Sequence, residues 1–258
     1  MTAPKRPIAL ITGGRRGIGL GIAKALAASG FDIAITGVSD APPSDPVIDE
    51  LRVLGGDAIY VKADLGDLPT HQETVDTVLA RFGRIDCLVN NAGMASVVRG
   101  DFLELTPENF DTIVATNLRG TIFFTQAVVR AMLAGGAGDA ARSVVNITSV
   151  SATLSSPERL DYCVTKSGLA AFSQGLALRL AETGIAVFEV RPGIIATDMT
   201  AGVSGKYDAL IAGGLVPMKR WGEAGDIGAI VQALASGSFG FATGSVIDAD
   251  GGLSIGRL

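Results

Sequence analysis

Ile8-Ala9-Leu10-Ile11-Thr12-Gly13-Gly14-Arg15-Arg16-Gly17-Ile18-Gly19 decides how the rest of the chain is to be read. A short apolar run ends at Thr12, glycines stand at 13, 17 and 19, and an Ala/Leu-rich stretch begins at once. Glycines so spaced let the chain turn sharply, bring backbone close to a diphosphate, and let the following helix pack tightly on the strand. The free N–H groups at the helix start then face the phosphates. In a chain with 34 glycines such a string also arises by chance, and an ordinary tight turn would read the same way. Its place between the first strand and first helix of an α/β pattern is what makes it a nucleotide signal.

Working outward, β-branched runs at 8–12, 32–37, 57–61, 86–90, 142–148, 185–191 and 245–248 read as strands. Several are nearly continuously apolar, as expected where both faces of a sheet are covered. Between them lie helical stretches at 18–29, 70–82, 107–133, 157–182 and 224–235. Pro107 and Pro157 sit at helix starts, where proline is tolerated, and Thr106 is placed to cap. The alternation predicts a doubly wound parallel sheet of about seven strands with helices on both faces and right-handed crossovers. No linker divides the chain; the Pro-rich 41–46 and Gly/Ala-rich 135–141 read as surface loops. Residues 199–221, irregular and Gly-containing, read as a lid over a site, with a plain surface excursion as the alternative.

Composition narrows the function. The chain has 258 residues, 48% of them hydrophobic and 18% charged, which excludes a disordered protein. Lysines and arginines number 21 against 26 acidic residues, a net charge of −5 that argues against nucleic-acid or anionic-membrane partners. Cys87 and Cys163 are too few and too far apart for a disulfide framework or a metal knuckle, and read as buried thiols. The apolar run at 8–11 is too short for a signal peptide. Residues 227–247 lack charge, but Ser236-Gly237-Ser238-Phe239-Gly240 interrupts them, so no membrane span is expected. A soluble, cytoplasmic protein is expected.

Tyr162 and Lys166 lie four apart on an expected helix, so both project from one face. Free tyrosine titrates near 10 and is a poor proton donor at neutrality, but an adjacent ammonium favours its phenolate. Ser149, thirteen residues earlier at the end of a strand, offers a hydroxyl that can orient a substrate carbonyl oxygen. Alone, Tyr-x-x-x-Lys is ordinary helix surface; beside Ser149 and a nucleotide turn it reads as a proton-transfer site. His71, the one histidine, would have to serve any Ser-His-Asp chemistry; at the entry to a surface helix it reads as an exposed bystander. No His/Cys/carboxylate group has zinc spacing, so no metal is expected. Cys163 should point about 100° away from Tyr162, and Phe123, Phe124 and Met132 read as core.

The Gly-x-x-x-Gly-x-Gly spacing resembles the short-chain dehydrogenase/reductase family rather than the commoner Gly-x-Gly-x-x-Gly fold. Asp64-Leu65 after the third strand, Asn90-Asn91-Ala92-Gly93 after the fourth, the segment Arg191-Pro192-Gly193-Ile194-Ile195-Ala196-Thr197 and Asp250-Gly251-Gly252 near the end match its motifs in order. The resemblance covers essentially the whole chain. It implies one Rossmann-type domain over 1–258 and a nicotinamide cofactor held by Gly13, Arg15, Arg16, Gly17, Ile18, Gly19, Asp64, Leu65, Asn91, Ala92, Gly93, Tyr162, Lys166, Pro192, Gly193, Ile195 and Thr197. It also implies catalysis by Ser149, Tyr162 and Lys166, with Asn117 holding a water of the proton relay. A mid-helix asparagine is otherwise a mild propensity defect.

NAD-preferring relatives carry an Asp at the end of the second strand; here that position is Gly37, and Arg16 matches an arginine of NADPH-using relatives. Val38 and the nearby Asp40 weigh against it, and NADP(H) is favoured over NAD(H). The chain looks most like the 3-oxoacyl-(acyl-carrier-protein) reductase branch, part of fatty acid biosynthesis. A carrier-protein partner would favour a basic patch, for which Arg99, Arg119, Lys206, Lys219 and Arg220 are scattered candidates. A sugar or polyol dehydrogenase is the alternative within the family. A non-catalytic NAD(P)-sensing protein is the alternative from another class, and should show damage at the serine, tyrosine or lysine, all of which are present. Relatives also imply a homotetramer built on the helices at 107–133 and 157–182 and on the C-terminal strand region.

Overall fold

The structure, a computed structural model, describes residues 6–42, 44–136, 140–201 and 204–257. Seven parallel strands form one sheet: β1 (Ile8–Ile11), β2 (Asp32–Gly37), β3 (Ala58–Lys62), β4 (Cys87–Asn90), β5 (Arg142–Ile147), β6 (Ile185–Pro192) and β7 (Val246–Ala249). Their order is β3-β2-β1-β4-β5-β6-β7, so the winding reverses between β1 and β4. In such sheets ligands bind at that reversal, beyond the carboxyl ends of the strands. The Gly-rich turn follows β1 and Asn91-Ala92-Gly93 follows β4, so the two segments flank it.

The apolar runs form strands because both sheet faces are covered. Every residue of β1 and of β4 is buried. One face carries α1 (Gly17–Ala28), α2 (Pro46–Val53) and α9 (Ala224–Ala235), packed through Ile22, Leu26, Leu51 and Val231 onto Ile11, Ile33 and Val89. The other carries α3 (His71–Phe82), α5 (Thr121–Ala134) and α6 (Leu160–Leu180), packed through Val75, Val78, Phe124, Val128 and Leu180 onto Leu10, Leu88 and Val187. Each fully buried Leu, Ile or Phe contributes about 1.5–3 kcal/mol, so the two layers hold the sheet rigid beneath the site.

Phe123, expected in the core beside Phe124 and Met132, is instead 44% exposed. Four further expectations need correction. The stretch 107–133 is not one regular helix: α4 (Pro107–Val114) passes through a π-helical turn, Ala115–Gly120, before α5. The irregularity falls on Asn117, where the side chain is needed off-axis rather than tolerated as a defect. The Pro-rich loop is shorter than expected, because Asp45 caps Val47 N–H and starts α2 at Pro46. Residues 199–221 are irregular only from 213 on, since α7 (Asp198–Ala201) and α8 (Ser204–Ala212) occupy the first part; positions 202 and 203 lie outside the described residues. Residues 137–139 of the expected Gly/Ala loop also lie outside them.

His71 is the fourth of these. It is buried, its Nε2 lies 3.0 Å from the Leu65 carbonyl oxygen, and its ring meets Phe124 edge-on. Burial pushes the imidazole below its ordinary range, so it sits neutral in the core. Both cysteines are buried free thiols as expected, and burial pushes Cys87 up to about 12. Residues 227–247 divide among α9, a turn and β7. Among the described residues no helix is long and apolar enough to cross a membrane, and no acidic, His or Cys group could hold a metal.

Candidate active site

The turn after β1 is built by positive-φ glycines and by bonds to its neighbour. Gly13 (φ 66°) and Gly17 (φ 53°) occupy the left-handed region, where a Cβ is strained. Thr12 Oγ1 accepts from Asn91 N–H (3.0 Å) and Ala92 N–H (2.9 Å), while Asn91 Nδ2 donates to the carbonyls of Thr12 (2.9 Å) and Gly13 (3.2 Å). The Gly-rich turn and the Asn91–Gly93 segment are therefore laced into one surface. No side chain caps the N-terminus of α1, and its first turn holds no acidic residue. Its N–H groups remain available to an anion, so the residues present fit a dinucleotide diphosphate.

Two further segments close on this surface. A Cβ on Gly17 would stand 3.4 Å from Thr197 Cγ2, which puts the Pro192–Thr197 segment beside the turn. Ile195 is buried, and Ala196 N–H donates to Gly222 O, which ties that segment to the base of α9. Gly193 packs against Asp250, whose carboxylate accepts from Gly252 and Ser254 N–H; the C-terminal Asp-Gly-Gly motif is a buttress for the Pro-Gly turn. On the other side Asp64 is exposed and accepts from Gly66 N–H, with Leu65 buried behind it.

Tyr162, Lys166 and Asn117 come together beside Gly93, and Ser149 follows Ile147, whose carbonyl anchors Lys166, by two residues. Ser149 Oγ accepts from Ser151 N–H (3.0 Å), which fixes the hydroxyl at the end of β5. Lys166 is buried and donates to Ile147 O (3.1 Å), with Nζ 5.7 Å from the centre of the Tyr162 ring. A Cβ on Gly93 would lie 3.2 Å from Asn117 Oδ1 and 3.8 Å from Lys166 Nζ, so these groups share one corner with the nucleotide surface. Asn117 uses its carboxamide as a clamp: Oδ1 accepts from Met94 N–H (2.8 Å) and Nδ2 donates to Met94 O (2.9 Å). A hydroxyl, a phenol and an ammonium at the carboxyl ends of the strands make a set suited to moving a proton to or from a substrate oxygen.

Two neighbours were not legible in the sequence. Arg159 lies over the Tyr162 ring at 5.5 Å, a second cation on its face. Asp161, buried, accepts from Ser96 Oγ (2.6 Å) and Tyr162 N–H (2.7 Å) and so ties the loop after β4 to the start of α6. Only the Asp before the tyrosine hinted at this. The two arginines of the Gly-rich turn also part company. Arg15 is spent on Asp45 (3.0 Å) and on the Tyr60 ring, whereas Arg16 is 79% exposed with Asp198 3.8 Å away. Asp40, nearby, is paired with Lys62 at 2.7 Å. In the expected lid, Trp221 Nε1 donates to Asp208 Oδ1 and Tyr207 meets the indole edge-on, so α8 is fastened to the residues before α9.

A family model described as enoyl-(acyl carrier protein) reductase matches residues 13–254. A 3-oxoacyl-[acyl-carrier-protein] reductase from Synechocystis is 33% identical over 254 residues, covering 98% of this chain and 99% of that protein. A structure of a 3-oxoacyl-[acyl-carrier protein] reductase from Brucella melitensis in complex with NAD is 66% identical, with a TM-score of 0.96 over 99% of this chain and 100% of that one. A candidate 2-deoxy-D-gluconate 3-dehydrogenase from Agrobacterium tumefaciens with bound NADP is 30% identical, with a TM-score of 0.85 over 97% of each chain.

Proposed function

The chain belongs to the short-chain dehydrogenase/reductase family of nicotinamide-dependent oxidoreductases, and from that premise we propose that it is a ketoreductase acting on 3-oxoacyl thioesters. The observation that carries the reading is the corner shared by Lys166, Tyr162, Asn117 and Gly93 beside the uncapped start of α1. The two relatives named above as 3-oxoacyl reductases support the substrate class. Gly13, Arg15, Arg16, Gly17, Ile18, Gly19, Asp64, Leu65, Asn91, Ala92, Gly93, Tyr162, Lys166, Pro192, Gly193, Ile195 and Thr197 are the residues that would hold the cofactor.

When bound, the nicotinamide supplies hydride to the substrate carbonyl carbon. Ser149 donates to the carbonyl oxygen and orients it towards Tyr162. Tyr162 gives its phenolic proton to that oxygen as negative charge develops there. The Lys166 ammonium stabilises the resulting phenolate and would hold the ribose of a bound nicotinamide. The proton is restored from solvent by way of Asn117, whose carboxamide holds the Met94 backbone in place. Replacing Tyr162 by Phe tests the assignment: turnover of an acetoacetyl thioester should collapse while NADPH binding persists. Unchanged turnover would sink the mechanism, whereas a native protein that binds NADPH and turns over nothing would revive the reading of a nucleotide-sensing protein without catalysis.

NADP(H) is favoured over NAD(H). The end of β2 carries Gly37 rather than a carboxylate, Asp40 is neutralised by Lys62, and Arg16, 79% exposed with a long 3.8 Å pairing to Asp198, can turn to a 2′-phosphate. The NAD complex of the Brucella protein favours the opposite choice, and paired NADPH and NADH titrations decide between them. The Agrobacterium neighbour supports a second substrate reading, a sugar or polyol; gluconate-type substrates in the same assay test it. For an acyl-carrier-protein partner, Arg99 and Arg119 are exposed cations, whereas Arg220 is consumed by Asp226 (2.7 Å).

A homotetramer is supported by apolar side chains left in solvent: Phe123 and Leu133 on α5, Val164 and Leu178 on α6, and Phe239, Phe241 and Ile255 near β7. Light scattering that gives a monomer mass would refute it. Residues 199–221 serve as the substrate lid, and the buried free thiols suit the cytoplasm.

A further inference from the structure

β6 is an apolar strand, paired on both sides, except for two charged residues on one of its faces. Glu189 is 1% exposed, and two residues on, where strand geometry returns to the same face, stands Arg191. Arg191 Nε donates to Glu189 Oε1 (2.7 Å) and Nη2 to Oε2 (3.2 Å). The same Oε1 accepts from Thr148 Oγ1 at 2.7 Å. Thr148 is buried, its N–H donates to Val190 O (2.9 Å), and its hydroxyl makes only a longer 3.3 Å approach to that carbonyl.

We propose that the Glu189–Arg191 pair is a positioning clamp that sets Ser149 against the nicotinamide-facing Pro192–Gly193 turn. The inference rests on the catalytic reading given above. Thr148 stands between two functional points of the chain: Ile147, whose carbonyl anchors Lys166 Nζ, and Ser149 itself. Arg191 immediately precedes Pro192–Gly193, and Gly193 N–H is bonded to Ala249 O. The buried carboxylate is therefore hydrogen-bonded at once to the strand end that carries the hydroxyl and the lysine anchor, and to the strand end that leads into the cofactor segment.

A charge pair is a poor way to fill this space for stability alone, since an apolar pair of similar volume is often as stable or more so. What a pair supplies that leucines cannot is direction. Hydrogen bonds to a carboxylate are short and geometrically demanding, and Arg191 holds the acceptor in one plane. Misplacing a reacting group by about 1 Å can cost about 100-fold in rate, so a clamp one residue from Ser149 acts on the hydride-transfer geometry. Glu189 and Arg191 are positioning residues that act through Thr148 and through the Pro-Gly turn.

The test uses Thr148→Val, Glu189→Gln and the paired Glu189→Leu/Arg191→Leu, the last removing both charges together so that neither is left buried alone. Each variant is assayed for NADPH binding, for kcat and KM with an acetoacetyl thioester, and for the isotope effect with NADPH deuterated at the transferred position. The clamp predicts NADPH affinity within about threefold of native, and kcat per nucleotide-binding site lowered about tenfold or more in Thr148→Val and the Leu pair. KM should change little, and the isotope effect should grow as hydride transfer slows. Glu189→Gln, which keeps an acceptor for Thr148, should recover part of the lost kcat. Native kcat in Thr148→Val and the Leu pair overturns the proposal, as does a Glu189→Gln variant no better than the Leu pair. Should the Leu pair fail to fold, Thr148→Val decides alone. Ser149→Ala and Tyr162→Phe are run beside them: if those retain turnover, the catalytic reading has failed, and the fault lies there rather than in the clamp.

Discussion

Adding a single methyl group at Gly19 tests whether the turn after β1 holds a nucleotide. A Cβ there would lie 2.3 Å from Gly13 O and 2.5 Å from Asn91 Nδ2. Ordinary contacts need about 3.5 Å, so the turn would have to retreat by about 1 Å. Asn91 Nδ2 cannot follow it and still reach both Thr12 O and Gly13 O, so at least one of those bonds is lost. Overpacking of this kind costs about 1–3 kcal/mol and a lost hydrogen bond about 1 more, against about 1 kcal/mol gained by alanine in a helix. The net 1–3 kcal/mol falls on the diphosphate cradle, which corresponds to NADPH binding weakened roughly 5- to 150-fold. Fluorescence titration of Gly19→Ala with NADPH measures it, and a thermal melt without nucleotide separates binding from folding. Gly225→Ala is the control, because a Cβ there meets nothing within 4 Å on the exposed side of α9; it should bind normally and melt no lower than native. A Gly19→Ala protein that binds NADPH within twofold of native would refute the cradle.

Arg16→Ala should weaken NADPH about tenfold while leaving NADH alone, the size of one charge-assisted contact; equal losses for both cofactors would remove the role given to its exposed guanidinium. Asn117→Leu strands Met94 N–H without its acceptor and should cost about 2 kcal/mol in chemical denaturation together with most of the turnover. His71 has its folded pKa held below the ordinary value by burial, so the unfolded chain binds more protons in acid. Its contribution is complete above about 6.5 and is lost as pH falls below that value. Melting curves between pH 7.5 and 5.5 should therefore drop more steeply for the native protein than for His71→Leu.

His71 also shows where reading the chain by itself reaches its limit. By sequence it reads as exposed, because nothing within its own helix shows what lies opposite. Its partners are the Leu65 carbonyl and the Phe124 ring, the second contributed by a distant helix packed on the same sheet face. Arg15 and Arg16 make the same point at shorter range. They are neighbours of one kind in one motif, yet Asp45 and Tyr60 claim one and leave the other in solvent. The π turn at Asn117 follows from a demand made by Met94, which no helix propensity contains.

What the sequence determined by itself is everything that repeats with a local period. The seven strands are legible because burial on both faces demands unbroken apolar runs, and Tyr162 and Lys166 because four residues make about one helical turn. The Gly-rich turn is legible because only glycine tolerates positive φ at positions 13 and 17. The tertiary structure alone decided which polar groups meet between distant segments: Asn117 with the Met94 backbone, Asp161 with Ser96, and Glu189 with Thr148. Those contacts depend on which strands lie side by side and in what register. Register is set by the packing of the whole sheet, so it leaves no periodic trace in any one segment.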